Sequence, residues 1–317
     1  MKLHDSAISP RTVAVRAGTG LSIFGVLTFS FTFPATALAL HGFGAWTTAG
    51  GRCVLGAVLA AICLKVGRVP LPSRAQWPGI AVVAGGCVLG FPILTTLALR
   101  TSSTAHSAVV VGLLPLATAA VSAMLTGRRQ SRAFWLAAGA GAVAVVVFSL
   151  QQSHGVPTVA DLLLFAALVV CAFGYAEGGR LAAQLPGWQV IAWALVIALP
   201  VTLPLTAVAL ATEPVHLGPQ AIFGLGYVAF VSQFGGFVAW YRGMAAIGVA
   251  RASQLQLAQP LLTLVWSVLL LREQVPAAAP ITAVAVLACI VVTQRARSSP
   301  GRDRPVDSQL PAPVSRG

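Results

Sequence analysis

Ten long apolar stretches restrict what this 317-residue chain can fold into. Each is 17 to 24 residues long, close to the roughly 20 residues that an α-helix needs to cross a bilayer. A segment inside a membrane must satisfy its own backbone hydrogen bonds, so a helix is the expected structure. The stretches are Gly18–Leu40, Trp46–Val66, Trp77–Leu99, Thr104–Leu125, Phe134–Leu150, Leu162–Gly179, Trp188–Leu210, Gly218–Tyr241, Val249–Leu271 and Ala277–Thr293. The pattern predicts an all-α polytopic membrane protein with ten transmembrane helices.

The composition argues against several other classes of protein. The chain is 57% hydrophobic and 9% charged, with a mean hydropathy of +0.86, which lies outside the usage of soluble domains. The net charge of +13 does not indicate a nucleic-acid partner, because the basic residues flank the apolar stretches and form no stripe interleaved with aromatic residues. The five cysteines lie within apolar stretches without CxxC spacing, so we expect neither a disulfide framework nor a metal site.

Lys and Arg residues are distributed unevenly between the two sides of the predicted membrane. With the N-terminus in the cytoplasm, 17 of the 20 fall on the cytoplasmic side, as the positive-inside rule requires. Both termini are therefore predicted to be cytoplasmic. The first stretch contains "ATALAL", which resembles a signal-peptide cleavage site, but nine further stretches follow and we interpret it as a retained helix. Residues 295–317, rich in Pro, Ser and Arg, are predicted to form a disordered cytoplasmic tail.

The fourth and ninth stretches resemble each other. A shift of 145 residues aligns Pro115, Leu116, Thr118, Ser122 and Leu125 with Pro260, Leu261, Thr263, Ser267 and Leu270. Because a unit of five helices reverses the direction of the chain through the membrane, two such units are inverted copies. We therefore predict one repeat over residues 1–150 and an inverted one over residues 151–294, with a substrate site near the midplane between them.

These features together resemble the drug/metabolite transporter superfamily, specifically its EamA-like branch. The resemblance rests on the ten stretches in two halves, the prolines in the fourth and ninth, Arg52 in "GGRCVLGAVLAA" and the sequence "LLLREQVP" that closes the ninth. It covers residues 16–297. An acidic residue that such proteins place after the fourth and ninth helices is present as Glu273, but the first half has "GRR" at that point. The resemblance implies secondary transport of small metabolites, often export, without ATP hydrolysis.

Polar side chains inside the apolar stretches are the candidates for substrate binding. At about 100° per residue, Gln256, Gln259 and Thr263 share one face of the ninth stretch, whereas Gln254 points away from it. Other polar or amphipathic groups at midplane depth complete the set. The candidate substrate-binding residues are Thr28, Thr32, Gln233, Trp240, Gln256, Gln259 and Thr263. The alternative for each of them is a role in joining helices, which hydroxyl and amide side chains commonly have in membranes.

Three ionisable residues within the stretches are candidates for coupling transport to an ion, because ionisable groups in a membrane are costly and usually functional. Glu177 either exchanges protons or pairs with Arg180 three residues later. His106 lies off the polar face of the fourth stretch, where a proton relay competes with a structural role. Arg52 lies roughly 9 Å below the outer surface at 1.5 Å per residue; snorkelling or a structural role competes there with anion binding.

The sequence therefore predicts a secondary active transporter, an exporter of small metabolites or drug-like compounds that works by alternating access through a central cavity. It contains no Walker A, HExxH or GxSxG motif on a fitting element, so we expect no enzymatic activity, cofactor or metal. A passive channel or facilitator is the alternative, followed by an intramembrane enzyme. The expected partners are a small-molecule substrate and the lipid bilayer of a bacterial inner membrane. A homodimer, a coupling proton and a counter-substrate are left open.

Overall fold

The computed structural model describes residues 10–127, 130–153, 155–247 and 255–298. Within these ranges the chain is built of helices, and its one isolated β-bridge joins Phe43 and Val215. The helices are α1 (Pro10–Ser30 and Thr32–Leu40), α2 (Ala45–Val66), α3 (Trp77–Val83, Ala84–Gly90 and Phe91–Ala98), α4 (Thr104–Val111 and Leu114–Thr126), α5 (Arg132–Gln152), α6 (Val159–Leu181), α7 (Gly187–Thr212), α8 (Pro219–Gly226, Tyr227–Gly235 and Gly236–Ile247), α9 (Ala258–Leu271) and α10 (Ala278–Ser298).

The lengths of these helices fit a membrane protein. Among the described residues, eight helices, α1 to α8, are long and apolar enough to cross a bilayer, and α9 and α10 contribute two shorter apolar segments. The first part of the predicted ninth stretch, residues 249–254, lies outside the described residues and includes Gln254. Helix α10 continues to Ser298, four residues into the segment predicted as a tail, and residues 299–317 lie outside the described residues.

The outer surface of the helices is apolar. Large side chains such as Leu136, Leu269 and Ile281 are 74%, 65% and 69% exposed, far more than a soluble protein of this size would leave open to water. In a lipid bilayer, the same apolar surface can stay exposed, because lipid tails are as apolar as these side chains. The lipid bilayer is therefore the solvent for this face, as the length of the apolar stretches predicts.

Local signals in the sequence set several helix ends. The Ser103 and Ser131 side chains accept hydrogen bonds from the backbone N–H groups of His106 and Phe134, which caps α4 and α5. The segment α4 ends at Gly127, whose φ of +64° is the left-handed conformation that glycine adopts most easily. These caps satisfy backbone groups that would otherwise lack partners at the helix ends.

Most helix pairs join the two halves of the chain. Helix α2 packs on α7, α4 on α9 and α5 on α10, while α1 packs on α8 in the way that α6 packs on α3. This reciprocity is the pattern expected of two halves related by a two-fold axis. One contact depends on a glycine: a Cβ on Gly86 in α3 would collide with the Val170 carbonyl of α6. The two halves meet along the centre of the molecule.

Candidate central cavity

A cavity lies between the two halves of the chain, with walls from α1 to α4, α6 and α8 to α10. The space between these walls measures about 870 Å³, including the part that opens to solvent. Its walls are Phe29, Thr32, Phe33, Arg52, Cys87, Phe91, Pro92, Ala108, Val111, Gly112, Leu114, Pro115, Cys171, Tyr175, Ser232, Gln233, Phe237, Gln256, Leu257, Gln259, Pro260, Thr263, Leu287 and Ile290. The cavity is therefore lined by residues from both halves of the chain.

Helix interruptions converge on this cavity. Helix α4 is broken at Gly112 and Leu113, and a turn at Leu257 separates the helical residues 255–256 from α9. Each interruption lies two or three residues before a proline, Pro115 or Pro260. A proline has no N–H group, so the carbonyl four residues before it loses its usual donor. Backbone carbonyls at membrane depth are tolerated where they line a cavity.

Two carbonyls freed in this way are satisfied by side chains of neighbouring helices. Pro34 leaves the Ser30 carbonyl without its helical donor, and the Thr263 hydroxyl of α9 donates to that oxygen over 2.8 Å. Pro92 has the same effect on the Val88 carbonyl, which accepts from the Cys53 Sγ over 3.0 Å. These bonds fix the interrupted helices α1 and α3 to their neighbours and so shape the cavity wall.

The polar wall of the cavity comes mainly from α1, α8 and α9. Thr32 and Ser232 share a hydrogen bond of 2.7 Å between their hydroxyl oxygens. Gln233 is only 2% exposed, and its Nε2 has no hydrogen-bond partner among the described residues. Gln256 and Gln259 also line the cavity and are half-buried. The cavity therefore presents amide groups that can bind a polar part of a ligand.

Arg52 is the cation of this cavity. Its side chain lines the wall, is 3% exposed and keeps a buried Nε without a partner among the described residues. The two ion pairs found in the described part of the chain, His106–Asp161 and Glu177–Arg180, do not include it. The lining contains no Asp or Glu. Arg52 thus gives the cavity a positive charge that no described carboxylate balances.

Aromatic rings cover another part of the wall. The Phe29 and Phe237 rings meet edge to face with centroids 5.0 Å apart, and Tyr175 contacts Phe237 at 6.2 Å. The Phe33 and Phe91 rings stack at 6.4 Å. Such rings provide rigid apolar surface for a ligand. The cavity therefore combines an apolar wall with amides and one cation.

The structure brings together five of the seven predicted substrate-binding residues, Thr32, Gln233, Gln256, Gln259 and Thr263, and leaves two outside the lining. The Thr28 hydroxyl donates to the Gly25 carbonyl of its own helix over 2.8 Å, and the Thr28 carbonyl accepts from the Tyr227 hydroxyl over 3.0 Å. Trp240 is buried against Gly25, where a Cβ would lie 3.1 Å from its own. Both residues join α1 to α8.

Glu177 and His106, two of the candidates for ion coupling, also lie outside the cavity lining. Each of them is part of an ion pair. Glu177 accepts from the Arg180 Nε over 2.9 Å and 3.0 Å, which is the pairing considered from their spacing. His106 Nε2 lies 2.7 Å from Asp161 Oδ1, and its ring stacks on Phe148 at 5.3 Å. Arg52 is the coupling candidate that lines the cavity.

Three carboxylates cap helix N-termini; sequence reasoning missed Glu213 and Asp161, and it noted Glu273 without predicting its contact. Glu213 accepts from the backbone N–H groups of Trp46 and Thr47, at 3.1 Å and 2.8 Å. Glu273 accepts from those of Thr104 and Ala105, at 2.9 Å and 3.0 Å. Asp161 forms a capping box with Thr158 at the start of α6. The spacing "TVAD" could have revealed the last of these, whereas Glu213 and Glu273 cap helices more than 160 residues away in sequence.

A bundle of apolar helices around a central cavity is typical of multi-pass membrane proteins that bind small molecules. The chain belongs to the EamA-like transporter family, which matches residues 16–150 and 158–294, so that each half is one copy of the family's repeat. It is therefore a transporter. Groups of three or more metal-ligating side chains are absent from the described residues.

Two bacterial relatives are similar over most of the chain. "Uncharacterized transporter YdeK" of Bacillus subtilis (strain 168) is 40% identical over 271 residues, which cover 86% of this chain and 94% of the relative. "Probable terminal-alkyne amino-acid exporter" of Streptantibioticus cattleyicolor is 23% identical over 294 residues, with 88% and 96% covered. A solved crystal structure at 20% identity matches with a TM-score of 0.60 over 87% of this chain and 97% of its own, and so shares its fold. The protein is a multi-pass protein of the bacterial inner membrane.

Proposed function

We propose that this protein is a secondary active exporter that moves a small amphipathic molecule by alternating access of the central cavity. The observation that carries the proposal is the composition of the cavity wall, in which interrupted helices from both halves meet around amides, aromatic rings and one cation. Rearrangement of two repeats around such a site is a common transporter mechanism. The export direction is supported by the relative described as a probable amino-acid exporter.

The driving force in this proposal is a proton gradient or a counter-substrate. The sequence contains no Walker A motif, so the proposal uses no nucleotide hydrolysis. The ten-helix arrangement with inverted halves and both termini in the cytoplasm belongs to the same proposal. Reporter fusions after Thr293 and within residues 128–132 should both report the cytoplasm. A periplasmic signal from either fusion would contradict this orientation.

Metabolite profiling and reconstituted transport test the exporter. Cells that overproduce the protein should accumulate its substrate outside and lose it inside, compared with cells that carry the empty vector. The purified protein in proteoliposomes should then build a gradient of that compound when a counter-gradient is imposed. A passive channel would only dissipate a gradient, and an enzyme would release a covalently altered product. Either result would replace the proposal.

A further inference from the structure

The cavity wall contains two buried polar side chains that the protein itself leaves without partners. We propose that Arg52 and Gln233 form an anion subsite that binds the carboxylate group of the transported molecule. This inference rests on the proposed transport function and adds the chemical class of the substrate: a small monocarboxylate with an apolar body.

Arg52 supplies the charge of the subsite. A guanidinium group in a membrane interior is costly and normally pairs with a carboxylate of the protein. Arg52 is only 3% exposed to solvent, and its buried Nε has no hydrogen-bond partner among the described residues. No Asp or Glu occurs in the cavity lining. The missing counter-charge is therefore one that a ligand can bring.

Gln233 lines the same cavity as Arg52 and supplies the second group of the subsite. Gly56 follows Arg52 by four residues on α2, so both face the same side of that helix. A Cβ on Gly56 would lie 3.3 Å from the Gln233 Cγ, so the glutamine packs against the turn of α2 that follows Arg52. Its unpartnered Nε2 is a second donor in the wall of the cavity that Arg52 lines. Two donor groups on neighbouring helices suit the two oxygen atoms of one carboxylate.

The charge of the cavity favours a carboxylate over other anions. Arg52 is the one Lys or Arg residue in the lining, so a dianion such as a phosphate monoester would keep an unbalanced negative charge after binding. The guanidinium fork also matches the geometry of a carboxylate in a bidentate pair. A ligand without an anionic group would leave Arg52 uncompensated. One positive charge thus selects one negative charge.

The rest of the wall determines what the carboxylate is attached to. Phe29, Phe33, Phe91 and Phe237 contribute rings to the lining, and Tyr175 adds its ring beside Phe237. Contact with these faces favours an apolar chain or ring in the ligand. Gln256 and Gln259 remain available for one further polar group.

Matched pairs of carboxylates and amides test the subsite directly. The probes are radiolabelled butanoate, 4-methylpentanoate and 3-phenylpropanoate, each with its primary amide, and the measurement is equilibrium dialysis against the purified full-length protein. We expect at least one carboxylate to bind and its amide to bind on the order of 10- to 100-fold more weakly, the ratio typical of a charged hydrogen bond. Arg52→Gln should lose the preference for the carboxylate, and Gln233→Leu should weaken carboxylate binding by roughly tenfold.

Control variants separate the subsite from a structural role. Arg180→Gln changes an arginine outside the cavity and should bind every probe as the unaltered protein does. Arg52→Lys keeps the positive charge but loses the planar guanidinium that forms a bidentate pair. It should therefore retain a weaker preference for carboxylates. Without ligand, Arg52→Gln should melt at the same temperature as the unaltered protein or higher, because it removes an unpaired buried charge. If Arg52 has a structural role instead, Arg52→Gln should melt at a lower temperature than the unaltered protein. Arg52→Lys should then keep the full preference for carboxylates.

The proposal is overturned if no carboxylate binds, if amides bind as well as carboxylates, or if Arg52→Gln keeps the preference. These binding results are independent of the transport assay. Carboxylate binding that depends on Arg52 without any flux would overturn the proposed function and leave the subsite. Export of a neutral compound that Arg52→Gln leaves unchanged would overturn the subsite and leave the exporter.

Discussion

At the scale of single residues, the buried polar side chains in and around the cavity fall into two sets. Thr263 and Cys53 donate hydrogen bonds to backbone carbonyls of neighbouring helices, and Thr32 shares one with the Ser232 hydroxyl, so that these side chains hold helices together. Arg52 and Gln233 keep unpartnered nitrogen atoms at the cavity. Since an unsatisfied polar group is costly in a membrane interior, the second set marks where a ligand or water completes the hydrogen bonding.

The glutamines of the ninth stretch give a prediction at this scale. Gln256→Leu and Gln259→Leu each remove an amide from the cavity wall, and each should lower affinity for the exported substrate roughly tenfold, since a lost hydrogen bond costs about 1–2 kcal/mol. Protein abundance should not change, because leucine suits a membrane helix. Ala258→Leu, at an exposed position between them, is the matched control. Unchanged transport in both glutamine variants would contradict their place in the site.

At the scale of the elements, prolines and hydroxyls act together. Helix α1 is interrupted at Phe31, three residues before Pro34, and the freed Ser30 carbonyl is bonded by Thr263 of α9. Sequence periodicity places Thr263 on the polar face of its helix, and from that face alone we expected it to bind substrate. Periodicity gives the direction of a side chain along one helix, but the partner 233 residues away depends on tertiary packing. The same limit explains why Thr28 and Trp240 were assigned to the site although they join α1 to α8.

A double-mutant cycle tests the bond between α1 and α9. Thr263→Val removes the hydroxyl that serves the Ser30 carbonyl and should lower the free energy of unfolding by about 1 kcal/mol. In a Pro34→Ala background, residue 34 regains an N–H group that can serve the same carbonyl, so Thr263→Val should cost less. Thermal melting in detergent gives the four values. Thr126→Val, which loses only a bond to its own helix, is the control. Strictly additive effects would contradict the assigned bond.

The carboxylate caps give a second prediction for the elements. Glu273 follows α9 and caps α4, so its hydrogen bonds join the second half of the chain to the first at the predicted outer end. Glu273→Gln keeps the shape and removes the charge that favours a helix N-terminus, which should cost about 1 kcal/mol of stability. Glu213→Gln, at the N-terminus of α2, should have an effect of the same size. No change in melting temperature for either variant would contradict the caps.

At the scale of the whole molecule, the fold follows from the sequence more directly than the site does. The apolar stretches are long enough to predict helices in a membrane, and the shift of 145 residues predicts two repeats, as the family match over both halves confirms. The shape of the cavity depends on helix interruptions and on pairs such as His106–Asp161, which link distant stretches. The three carboxylates that cap helix N-termini all lie at the predicted outer end of the molecule; they are Glu213, Glu273 and Asp161. This asymmetry bears on how the cavity opens.

Two native cysteines can report the opening of the cavity to each side. Cys87 and Cys171 line it, whereas Cys53 is buried against the Val88 carbonyl and does not. In proteins that retain one of these cysteines, with the other four replaced by alanine, a membrane-impermeant thiol reagent should label Cys87 or Cys171 from outside in intact cells and from inside in inverted vesicles. A saturating substrate should lower both labelling rates, and Cys53 should stay unlabelled.

Alternating access predicts that Glu273→Gln raises labelling from outside and lowers it from inside. The reason is that the loss of a helix cap at the outer end shifts the population towards the outward-open state. A passive channel predicts equal changes on both sides, and that result would replace alternating access as the mechanism.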